Sequence, residues 1–191
     1  MLTKTILAVT ALATTAFAAP LEARSEPPSG SVYIAPTALY VYDVFTGAIG
    51  PKTTNAVVEK GRAVHEKTTL MTFEYPMATA NKKCALYFKY DSVSWSGTDK
   101  LAIFSSLKPA PGGATSDWGP GNQRNNQLGI WKRPSPSSSP SWADWEATYG
   151  GLSVPQDCKP GKTEAFEIVG QGDETWISYA NAIGGVRIAY W

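Results

Sequence analysis

The chain has 191 residues, 17 of them Lys or Arg against 16 Asp or Glu. Charge this balanced, scattered along the whole length, offers no basic patch for a phosphate backbone, so nucleic acid is excluded as an expected partner. Seven tryptophans, one histidine and two cysteines are the compositional features to explain.

The first stretch carries the three parts of a secretory signal. Lys4 is the basic n-region, Ile6 to Phe17 an apolar and small-residue run, and Ala16-Phe17-Ala18 an A-x-A cleavage site. The run is too short to span a bilayer, and no later stretch reads as a membrane span or a lipid-anchor tail. Residues 1–18 are therefore expected to be removed, taking Lys4 with them and leaving a formally neutral chain. Residues 19–30 read as a polar, Pro-containing leader, with Arg24 a candidate propeptide cut. Residues 31–191 read as one domain, long enough for a single core. The expected location is secreted, extracellular or wall-associated.

From Val32 onward turn signals recur every eight to twelve residues or so and no helical apolar period is sustained, the pattern of an all-β chain. Val32 to Ile34, Leu39 to Phe45 and Ala56 to Glu59 read as short strands. In Thr68 to Tyr75, Met71, Phe73 and Tyr75 share a face before Pro76 ends the run. In Cys84 to Tyr90, Cys84, Leu86, Phe88 and Tyr90 share a dry face and Ala85, Tyr87 and Lys89 a wetter one. This strand reads as the element around which the rest is organised. Val93 to Trp95 and Leu101 to Leu107 flank Ser96-Gly97-Thr98-Asp99, which is expected to join them as a hairpin.

Lys108 to Gln127 reads as a long loop rich in Pro, Gly and Asn, and Pro134 to Ser141 as a Pro/Ser tract that packs nothing. Leu128 to Trp131 and Trp142 to Tyr149 are apolar runs around that tract. In Thr163 to Val169, Phe166 and Ile168 point one way and Glu167 the other. Thr175 to Tyr179 and Val186 to Trp191 close the chain, and two terminal aromatics imply a docked C-terminal strand. Ten to twelve short strands imply a single-domain antiparallel β-sandwich, jelly-roll-like, with a barrel as the alternative. Cys84 and Cys158, the only two cysteines in a chain routed outside the cell, are expected to form a disulfide.

Cys84-x-Leu86-x-Phe88, Ser96-Gly97, Leu101-x-Ile103, the late Cys158, Phe166-Glu167-Ile168 and Gly184-Gly185-Val186-Arg187-Ile188 carry a resemblance. Over Val32 to Trp191 the chain resembles the fungal ubiquitin-3-binding-protein C-terminal domain, the But family. The resemblance implies a secreted fungal protein of the cell surface or wall and supplies no catalytic residue. The family name implies binding of a ubiquitin fold.

His65 is the only imidazole, no Gly-x-Ser-x-Gly elbow is present, and the cysteines are committed to each other. Neither a Ser-His-Asp triad nor a metal site is expected, and no cofactor is implied. A glycosidase needs only two carboxylates, for which Asp144 with Glu146 and Asp173 with Glu174 are candidates beside tryptophans. Trp95 and Trp176, in strand-like runs, are expected in the core. Trp118, Trp131, Trp142 and Trp145 fall in or beside loops, where they would offer stacking faces to a cell-wall glycan or anchors to a surface protein. The competing reading has them plugging the end of the sandwich, with Asn122, Gln123, Arg124, Asn125 and Asn126 as a solvated rim. The reading favoured on these grounds is a secreted, non-catalytic surface protein; a glycan-active hydrolase is the alternative and a ubiquitin-fold binder, effector or allergen the third.

Overall fold

In a computed structural model the described residues are 26–112, 123–134 and 141–191. Trp118, Asn122, the signal segment, the first part of the leader (residues 19–25) and most of the Pro/Ser tract lie outside them. The first strands are β1 (Val32–Ile34), β2 (Ala38–Asp43), β3 (Asn55–Lys60) and β4 (Lys67–Glu74). Then come β5 (Lys83–Lys89), β6 (Ser94–Gly97), β7 (Lys100–Ser106) and β8 (Arg124–Lys132). The last are β9 (Asp144–Thr148), β10 (Gln156–Asp157), β11 (Thr163–Gly170), β12 (Thr175–Ala180) and β13 (Gly185–Tyr190).

The strands form an antiparallel β-sandwich. Its small sheet has the order β1-β13-β5-β10, and its nine-stranded sheet runs β6-β12-β3-β4-β11-β7-β8-β9, with β2 also paired to β4. Phe88 on β5 lies at the centre. Its ring centroid is 6.0 Å from Trp95 on β6, 5.5 Å from Tyr179 on β12 and 5.6 Å from Trp131 on β8. Those three strands come from opposite ends of the large sheet, so that sheet curls into a half-barrel around the small one. Arg133, just past β8, links the two ends: Nε donates to the Tyr90 hydroxyl at 2.9 Å and a terminal nitrogen to the Trp95 carbonyl.

The alternation of β5 is correct on its inner side and incomplete on its outer side. Ala85 and Tyr87 are also buried, because Trp142 covers them with ring centroids 6.0 Å from Tyr87 and 5.4 Å from Tyr33. Residues 141–143 reach that position by bonding the edge of β5, Tyr90 N–H to Ser141 O and Ala143 N–H to Phe88 O. The Cys84–Cys158 disulfide is present with Cα atoms 5.0 Å apart, and β10 beside it pairs Gln156 with Cys84. The C-terminus is docked, with Trp191 N–H and C=O both bonded to Lys83.

The expected hairpin between β6 and β7 does not form. β6 pairs with β12 at one edge, whereas β7 pairs with β8 and β11. A Gly-containing turn determines that the chain reverses; it does not choose the partner of the strand that follows. Here Trp95 Nε1 donates to Thr98 O and Thr98 N–H to Glu174 O, turning the segment toward β12 instead.

Candidate functional site: an open cleft beneath Trp176

The loop tryptophans lie in the sandwich. Trp131 and Trp145 are on β8 and β9, 0% and 7% exposed, with ring centroids 4.5 Å apart. Trp142 is 9% exposed over the outer face of the small sheet. These three offer no open stacking face, and Trp118 lies outside the described residues. Leu128 and Trp131 both join the core cluster that contains Phe88, although they are three positions apart, because the register of β8 against β7 shifts at Leu128. β8 thus continues where a loop was expected.

Trp176 corrects the expectation in the opposite direction. It is 42% exposed, because Ile177 and Tyr179 occupy the inner face of β12 and alternation sends Trp176 outward. The signal was present in the sequence, since Thr175, Ile177 and Tyr179 alternate against Trp176 and Ser178. Across the ladder Trp176 stands opposite Glu59 on β3 and Ser96 on β6. Ser178, one pleat along, stands opposite Val57 and Ser94. Among the described residues this part of the large sheet is exposed or half-exposed and carries one indole among hydroxyls and charged groups.

The cleft at this place has a volume of about 280 Å³. One wall is the β3–β4 turn, with Arg62 and Val64, and the other is the turn before β12, with Glu174. Gly97 forms part of the floor with φ +77°; a Cβ there would come within 2.4 Å of the Glu174 carbonyl, so the two turns meet through bare backbone. Glu59 is held by Lys67 at 2.7 Å, a half-exposed pair. Arg62 and Glu174 have no ion-pair partner among the described residues. The arrangement supplies an apolar face with donors and acceptors at its rim, which is the chemistry of binding a polar ring.

The other acidic candidates are placed differently. Asp144 and Glu146 lie on one strand, and Glu146 is engaged by Lys100 at 2.6 Å. Asp173 and Glu174 are exposed in the turn that borders the cleft. His65 is exposed, 3.3 Å from Asp43 and stacked on Phe45 at 4.5 Å. Among the described residues no cluster of three metal-ligating side chains occurs, and no helix is long and apolar enough to cross a membrane.

Glu167 is a residue whose environment sequence reasoning missed. It is fully buried on the outer face of β11, where Arg124 and Thr68 bind its carboxylate. Arg124 is therefore no solvated rim residue. Tyr40, Tyr42, Ile49 and Leu70 form a second apolar cluster nearby, under the segment that follows β2. No family model matches the chain, and no curated protein matches it at a significant level.

Proposed function

We propose that this is a secreted, non-catalytic protein of the fungal cell surface or wall that binds a glycan. The observation that carries the reading is the half-exposed Trp176 on the outer side of β12, flanked by Ser96 and Glu59. A large indole left partly in water, with the Ser96 hydroxyl beside it and Arg62 and Glu174 at the rim, suits a sugar ring, whose C–H face stacks while its hydroxyls bond the rim. The signal-like residues 1–18 and the disulfide agree with an oxidising, extracellular setting. Membership of the But family belongs to the same reading, since Leu86, Phe88, Ile103 and Ile188 of that resemblance are core residues here.

The test is a pull-down of the mature protein on insoluble wall polysaccharide, with sugar release followed in parallel. Binding should weaken by about 1–3 kcal/mol in Trp176→Ala, the loss of an aromatic anchor. Undiminished binding by that variant would sink the reading, and catalytic sugar release would favour the hydrolase instead. The secreted protein should begin at Ala19, or at Ser25 if the chain is cut after Arg24.

A further inference from the structure

We infer that the Trp176 cleft selects an uncharged linear glycan lying across the strands along the row Ser96–Trp176–Glu59; this rests on the glycan-binding reading above. The row crosses three neighbouring strands, β6, β12 and β3, which at about 4.8 Å spacing make a track of ~10 Å, room for two sugar rings. A cleft of about 280 Å³ is at the small end of ligand sites, in agreement with one or two rings held and the rest of the polymer running free.

Charge decides the class of sugar. The lining holds two acids, Glu59 and Glu174, and two bases, Lys60 and Arg62. Lys67, paired with Glu59, and Asp173, next to Glu174, keep the balance. A uronate polymer would therefore gain from Arg62 and lose at Glu174, and an amine-bearing polymer the reverse, so neither gains net attraction. Hydroxyl groups have no such conflict, because each can accept from Arg62 and donate to Glu174. Ser94, Ser96 and Ser178 add three outward hydroxyls that make no hydrogen bond among the described residues. The single indole fits a ring whose hydroxyls are equatorial, which leaves a flat C–H face for stacking.

The experiment is titration calorimetry of the full mature chain, disulfide intact, at low and high salt. The probes are cellohexaose, laminarihexaose and the N-acetylglucosamine hexamer as neutral ligands, with the chitosan hexamer and a hexagalacturonate as charged ones. At least one neutral hexamer should bind ~10-fold or more tighter than either charged one. Its affinity should be nearly insensitive to salt, since screening acts on charge. Trp176→Ala should weaken binding ~10-fold or more while melting as the wild type does, and Arg62→Gln and Glu174→Gln should each weaken it several-fold. Tighter, salt-sensitive binding of a charged hexamer that still requires Trp176 would overturn the selectivity and leave glycan binding standing. Absence of any Trp176-dependent binding would overturn both.

Discussion

Arg124 on β8 reaches over the Phe104 ring to hold Glu167 on β11, spanning the strand between them. Nε donates to Oε2 at 3.0 Å, Nη2 to Oε1 at 2.7 Å, and the guanidinium carbon lies 5.1 Å from the Phe104 centroid. Thr68 donates to the same carboxylate at 2.7 Å, so β4, β8 and β11 are tied through one buried charge. Glu167 is 0% exposed, and the adjacent guanidinium is what makes a carboxylate tolerable there.

Arg124→Ala leaves that carboxylate buried without its counter-charge and should cost ~3 kcal/mol or more. The double variant Arg124→Leu with Glu167→Leu removes both charges and should recover most of the loss. Urea unfolding of the single and double variants measures this. Equal losses in both would show that packing, not charge pairing, is at stake.

Trp131 and Trp176 should separate cleanly. Trp131→Ala opens a cavity beside Phe88 and should cost ~3–5 kcal/mol, whereas Trp176→Ala should stay within about 0.5 kcal/mol. Trp131 Nε1 is buried without a hydrogen-bond partner among the described residues. Trp131→Phe removes that orphan donor, whose burial costs about 1–3 kcal/mol, and should lose clearly less stability than the alanine variant. Melting curves of the three proteins decide it.

The disulfide closes a sequence separation of 74 residues and should contribute ~4–5 kcal/mol through the unfolded chain in the chain-entropy account. Titration of unreduced, denatured protein should find no thiol. Replacing both Cys84 and Cys158 by alanine should lower the unfolding midpoint accordingly, and an unchanged midpoint would show that the unfolded state is not the one constrained.

Tyr75 and Tyr179 set the alkaline limit. Burial raises the Tyr75 phenol, helped by its hydrogen bond to Glu164, and burial likewise raises Tyr179 inside the core. A phenol whose folded value lies above its unfolded value near 10 binds more protons when folded. Stability is then full below about pH 10 and falls as pH rises beyond it. At least two of the nine tyrosines should stay un-ionised by absorbance until the chain unfolds. Tyr179→Phe should flatten the alkaline fall, and ionisation of all nine before unfolding would refute the assignment.

Much of the architecture was legible from local pattern. Period-two alternation marked Phe166 and Ile168 as inward and Glu167 as outward, and each takes that side. The two cysteines declared their own pairing, and the terminal aromatics their docking. These are properties of the chain within a few residues or of composition, where pleat geometry and the absence of other thiols act directly.

What the outward faces meet was decided only by tertiary structure. Alternation tells which side of a sheet a residue takes and is silent about whether that side is covered. Tyr87 and Glu167 were both outward; Trp142 packs over the first, and Arg124 and Thr68 close on the second, which is fully buried. Trp176 is outward on strands over which no described residue is laid, and it remains half in water. The large sheet's curl brings Trp95 and Trp131 to the same Phe88, drawing the supposed loop aromatics into the core and leaving the bare strip beside β6 for the cleft. Such long-range packing depends on which strands become neighbours, and a turn such as Ser96 to Asp99 reverses the chain without specifying that.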